Sequence, residues 1–192
     1  TVCLLYAVNT SMKFLYVTLM ASLSWSLTIV AGPLLPLSVQ DLTEAADVVL
    51  HGKVISKRVG RDEEGRIFTT VRLQVQDLWK GEVDGDVFEI VHGGGILGNR
   101  KVSAPYQVRY MIHEEAVVFC RLNLAGKGVT IGLLQGKFEV LKAEETTNRY
   151  VRNLFHGGLP PESSSAKPRY RMPHQIPLSI ETLKTRVQGG VR

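Results

Sequence analysis

The chain is predicted to fold as a mainly β protein, a small barrel or sandwich of about five strands with a helix near each end. Two observations carry this expectation. Short apolar stretches such as "VRLQVQ" alternate inward and outward residues with the period of two that a half-buried strand requires. Between these stretches lie turn-forming clusters, "RDEEGR", "KGEVDGD" and "HGGGILGN", at spacings typical of all-β domains. At 192 residues there is room for one such domain with extensions.

The N-terminus opens with eleven residues, "TVCLLYAVNTS", which lack an initiator methionine and read as an extension upstream of a true start at Met12. Met12-Lys13 is followed by the apolar run "FLYVTLMASLSWSLTIVA" and the small residues Ala31-Gly32. A cationic start, an apolar middle and a small-residue end predict a secretory signal peptide over residues 12–32, and hence export to the periplasm or the extracellular space. The run just reaches membrane-spanning length, so an uncleaved segment would be the one point of membrane contact; Ser22, Ser24, Ser26 and Thr28 weigh against a span.

The globular part is expected over residues 33–155. "LSVQDLTEAAD" offers Ser38 as a helix N-cap, with Val39, Leu42 and Ala46 at helical spacing. "VVLHGKVIS" (Val48 to Ser56) is predicted as a strand apolar on both faces. A second strand follows in "IFTTVRLQVQDLWK", with Val71, Leu73 and Val75 on one face. "VFEIV" (Val87 to Val91) is a third, "EEAVVFCRL" (Glu114 to Leu122) a fourth, and "GVTIGLL" with "GKFEVL" one or two more. Residues 156–176, rich in Pro, Ser and Gly, read as a linker. In residues 177–192, Ile180, Leu183 and Val187 form an apolar stripe behind the cap Ser179, and Gly189-Gly190 supplies the stop; an amphipathic helix is predicted there.

Charge and cysteine content exclude several function classes. The formal charge is +5, yet residues 33–155 hold 16 Lys+Arg against 16 Asp+Glu, so the excess belongs to the ends. A nucleic-acid footprint needs basic groups gathered on the folded face, and no nucleic-acid partner is expected. Cys3 falls in the presequence, which leaves Cys120 alone in the domain. No internal disulfide can form, and Cys120, inside "AVVFCRL", reads as a small buried hydrophobe.

The segment "VFEIVHGGGILGNRK" matches two chemical signatures. His92 to Gly95 spells HGGG, the oxyanion-hole run of some esterases, but the chain has no G-x-S-x-G elbow to supply a nucleophile. Gly93, Gly95 and Gly98 match G-x-G-x-x-G, but "NRKVSAPYQVRY" after them has the alternation and the proline of non-helical chain, whereas a dinucleotide site needs a helix N-terminus there. The segment therefore reads as a turn between strands, and secondarily as a binding loop formed by Gly93, Gly94, Gly95, Asn99, Arg100 and Lys101. The five histidines have no metal-ligand spacing, so no metal or cofactor is expected. Carboxylates gather in the turns Asp62-Glu63-Glu64 and Asp84/Asp86, and Trp79 reads as a core cap at a strand end. No catalytic residue is assigned and an enzyme is not expected.

"LTEAADVVLHGKVISKR" and "VRLQVQDLWKGEVDGDVFEIV" resemble the opening strands of oligonucleotide/oligosaccharide-binding (OB) barrels of the netrin-like kind, as in tissue inhibitors of metalloproteinases. "ADVVLHGKV", "VQDLWKG", "GGG" and "LLQGKFEV" resemble a group of exported bacterial proteins of unknown function. The resemblance, over about residues 37–141, implies a five-stranded OB-type barrel that binds through loops or a strand face. Those inhibitors act through a disulfide-held N-terminal cysteine, and none stands near Gly32-Pro33 here. The expected function is a non-enzymatic exported binding module for a protein or polysaccharide, the alternative a modulator of an extracellular hydrolase.

Overall fold

Two long strands set the architecture of the computed structural model, which describes residues 34–142, 148–158 and 176–189. They are β1 (Val48–Arg61) and β2 (Ile67–Lys80), antiparallel along their whole length. Their turn is held by Asp62, whose carboxylate accepts from the Arg66 backbone and pairs with its guanidinium at 2.7 Å, while Gly65 takes φ +78°. β1 is longer than the apolar stretch ending at Ser56 suggested. Beyond Val54, which still exchanges backbone hydrogen bonds with His113 and Glu114, its ladder is with β2 alone, so the polar run Ser56–Arg61 is compatible with strand structure.

β3 (Val87–Gly93) pairs antiparallel with β2, and β6 (Glu115–Leu122) pairs antiparallel with the other edge of β1. Between them in sequence lies a small hairpin, β4 (Gly95–Leu97) and β5 (Arg100–Val102). β7 (Gly128–Thr130) lies antiparallel to β6 and touches β3 in parallel at one position, Ile90↔Gly128. The ring β1-β2-β3-β7-β6-β1 is thereby closed, a five-stranded barrel in OB-type order. Beyond β7, the edge of β6 continues into β8 (Lys137–Lys142), β9 (Arg149–Arg152) and β10 (Leu178–Ser179).

Alternation along β1 feeds two cores. Val48, Leu50 and Val54 point into the barrel with Val71, Leu73, Phe88, Ile90, Val118 and Cys120. Val49 points outward with Val117 and Phe119, into a second core covered by α1 (Val39–Ala45) and α2 (Ile180–Gly189). Helix α1 begins as its sequence predicts: the Ser38 hydroxyl accepts from the Asp41 backbone and Asp41 returns the bond to the Ser38 N–H, a complete capping box. Helix α2 starts at the cap Ser179, which accepts from the Thr182 N–H, and its stripe Ile180, Leu183 and Val187 is buried on its own barrel. Trp79 caps this outer core, its indole N–H donating to Asp77 at 2.9 Å.

Strands β9 and β10 were not evident in the sequence. "RYVR" alternates charge with a single buried Val151, and β10 is two residues long. Both are defined by long-range pairing, Val140↔Val151 and Leu178↔Val151. His156, placed by composition in a linker, stacks on Phe138 at 5.9 Å and its ring nitrogen lies 2.7 Å from the Leu37 carbonyl. Residues 1–11, the apolar run of 12–32 and linker residues 159–175 lie outside the described residues. Among the described residues no helix is long and apolar enough to cross a membrane.

Leu183 is fully buried between α2 and the barrel. Leu183→Ala is expected to lower unfolding free energy by about 2–5 kcal/mol in a denaturant titration, because the site cannot collapse around the lost methyls.

Candidate functional site

The barrel wall is thinnest where β3 meets β7. After Ile90↔Gly128 the strands part: Val91 to Gly93 pair only with β2, and Val129 and Thr130 only with β6. Even this single contact depends on glycine, since a Cβ on Gly128 would lie 2.7 Å from the Phe88 ring. The returning segment between β5 and β6 fills the inner part of the seam. Val108 and Tyr110 are buried in the barrel core, and the Tyr110 hydroxyl lies 2.7 Å from Thr130 Oγ1. The Lys57 ammonium donates to the Tyr110 carbonyl, and Lys137 donates to the Arg109 carbonyl while pairing with Glu114 at 2.7 Å.

Outside this plug the seam holds a cavity of about 640 Å3. Its walls are predominantly apolar, from Ile67, Val91, Val102, Val108, Val129 and Leu133; Glu64, Gly65, Arg66, His92, Gly93, Gly94, Arg100, Ser103, Ala104, Gln107 and Thr130 complete the lining. The size and the balance of an apolar body with a few polar groups are those of small-molecule sites.

Gln107 orients His92. Its amide oxygen accepts from the Ala104 N–H, so its amide nitrogen faces Gly93 O and, at 2.8 Å, His92 Nδ1. His92 Nδ1 also lies 2.9 Å from Gly93 O, a contact made by the Nδ1–H tautomer, whereas accepting from Gln107 requires the Nε2–H tautomer. His92 Nε2 is buried and has no hydrogen-bond partner among the described residues. Burial holds the His92 pKa below its usual value, with the Gly93 carbonyl opposing it and Lys57 acting in the same direction as burial.

The glycine run is a steric device. Gly94 takes φ +80°, and a Cβ there would meet Val102 O at 2.5 Å; Gly95 takes φ +146°, and its Cβ would meet Thr69 Oγ1 at 2.7 Å. The backbone groups are engaged: the Gly94 N–H donates to Ile67 O and its carbonyl accepts from Thr69 Oγ1. The oxyanion-hole likeness therefore has no free Gly94 N–H behind it, and the dinucleotide likeness runs into the β4–β5 hairpin instead of a helix. Of the residues singled out in the sequence, Gly93, Gly94 and Arg100 line the cavity. Gly95 packs against Val59 and Thr69, and Asn99 and Lys101 sit exposed on the hairpin away from the lining. His92, Gln107, Val129, Thr130 and Leu133 join them from distant parts of the chain. Only His92, beside the glycine run, had a local signal.

A second polar cluster lies under α2. His51 is buried, with Nε2 3.6 Å from Glu115, which also pairs with Lys142 at 3.2 Å and Arg149 at 3.7 Å. Across the strand, Asp77 takes the Lys184 ammonium of α2 at 2.7 Å. Burial, reinforced by Arg149, holds His51 below its usual pKa of 6.5 against the pull of Glu115 and Asp77. Burial pushes Glu115 upward, but Lys142, His51 and Arg149 outweigh it and leave the carboxyl lowered. Cys120 is fully buried in the barrel, and burial pushes its thiol up, away from thiolate chemistry. Among the described residues no group of three His, Cys, Asp or Glu side chains is placed to hold a metal ion.

No protein-family model matches the chain, and no curated protein shows significant similarity to it. The geometry of the barrel and its seam is therefore the ground for a functional reading.

Two outcomes check this description. Gly94→Ala should destabilise by about 2–4 kcal/mol, from left-handed strain and the clash with Val102, whereas Gly93→Ala, whose Cβ meets open space, should change stability by about 0.5 kcal/mol or less; chemical denaturation separates them. For His51 the folded pKa lies below the unfolded one, so the unfolded chain takes up the proton first as pH falls from 6.5. Stability should therefore decline with acidification below pH 6.5, and His51→Gln should flatten that slope in thermal melts, leaving the similar share of His92.

Proposed function

We propose that this protein is an exported, non-enzymatic binding module that takes its ligand in the cavity at the β3/β7 seam. The observation that carries the reading is a cavity of about 640 Å3 with mostly apolar walls, opening where the barrel wall parts and framed by the β4–β5 hairpin. Loops around a rigid barrel end are where such scaffolds carry binding. The apolar walls favour a ligand with an apolar body over a polysaccharide. Export rests on the cationic start and apolar run of residues 12–32. The netrin-like resemblance fits the strand order but transfers no inhibitory residue.

The test is to fill the cavity. Val129 is 43% exposed on β7 and lines the mouth, and a strand position tolerates an aromatic side chain. An environment-sensitive apolar dye should bind the wild-type chain at one site and lose at least about 10-fold in affinity in Val129→Trp, while the melting temperature stays near the wild-type value. Equal dye binding by the two proteins would exclude the seam as the site.

A further inference from the structure

Resting on that reading, we infer that the ligand class is an amphipathic carboxylate, its apolar chain in the seam and its carboxylate at Arg100. Two observations point the same way. The walls offered by Val91, Val129 and Leu133 suit a chain and give few partners to a polar body. The charges at the mouth are unequal: Arg66 is neutralised by Asp62 at 2.7 Å and Glu64 at 2.8 Å, whereas the Arg100 guanidinium makes no ion pair or hydrogen bond among the described residues. Arg100 is thus the one cavity-lining cation among the described residues without a counter-charge. A carboxylate complements the unpaired Arg100 guanidinium, and a cationic headgroup does not.

Guanidinium and carboxylate meet as a planar fork with two parallel hydrogen bonds, an arrangement an ammonium cannot reproduce. The backbone presents Arg100 for this role. It follows the two-residue turn Gly98-Asn99, where Gly98 at φ +60° occupies the first turn position favoured for glycine in tight hairpins, and it pairs with Leu97. Its neighbour Lys101 is exposed and is not among the lining residues, which supplies an internal control for general electrostatic attraction.

The experiment is calorimetric titration of the full chain with decanoate, 1-decanol and decyltrimethylammonium, all below their aggregation concentrations. Decanoate is expected to bind best and decyltrimethylammonium worst. Arg100→Gln should weaken decanoate about 10-fold and leave 1-decanol within about 2-fold, Arg100→Lys should recover part of the loss, and Lys101→Gln should change little. Arg100 is exposed, so these variants should keep the wild-type melting temperature. The carboxylate assignment is overturned if decanoate and decyltrimethylammonium bind alike or if Arg100→Gln leaves decanoate unaffected. In that event 1-decanol binding that is lost in Val129→Trp keeps the cavity reading. Alkyl binding that survives Val129→Trp, or none to the wild type, overturns both.

Discussion

The structure depends on β1 being paired along both edges. From Val49 to Lys53 it is bonded to β2 on one side and to β6 on the other, and this double pairing closes the ring. A strand in that position must curl strongly, and the chain provides for it. Register shifts against β2 occur at Val49/Leu50, His51/Gly52 and Val54/Ser56, and Gly52 sits where a Cβ would be 2.8 Å from Gln74 O. Bulges and a glycine at a point of close approach are the standard means of bending a sheet into a barrel. Closure also removes the free sheet edges that β1 and β6 would otherwise expose.

Closing the ring makes both faces of β1 interior. Its inward residues fill the barrel, and its outward residues would face water without α1 and α2. The two helices are therefore part of the fold's second core, with Leu42, Leu183 and Val187 fully buried against Val49, Val117 and Phe119. His51 lies on this same outward face, at the junction with α2. Its surroundings, Glu115 from β6 and Asp77 from β2, are what a buried imidazole on a doubly paired strand must accept from its neighbours. Lys184 and Arg149 complete the cluster by balancing those carboxylates from α2 and β9.

The same closure leaves a weak place. Five strands close only if β3 and β7 meet in parallel, and here they do so at one residue pair. Tyr110 and Val108 plug the inner seam, and the outer part remains as the cavity. The glycine run belongs to this economy of space: Gly94 and Gly95 allow the hairpin to fold tightly against Val59, Thr69 and Val102. A motif with two chemical look-alikes is thus explained by packing, while Arg100, two residues beyond Gly98, is carried to the mouth.

The sequence by itself determined the elements that local rules govern. The capping box at Ser38, the alternation of Val71, Leu73 and Val75, the stripe Ile180-Leu183-Val187 and the buried characters of Trp79 and Cys120 all follow from spacing and side-chain chemistry within a few residues. Gly93, Gly94 and Arg100 could be singled out because glycines and an exposed cation stand together in the chain. Tertiary structure alone decided the rest. The continuation of β1 to Arg61, the short strands β9 and β10, and the meeting of His92 with Gln107 and Val129 arise from pairings between distant segments. Polar residues on a half-exposed strand arm carry no periodic signal, and a cavity has no sequence of its own: it is the volume left where two strands of a closed ring separate.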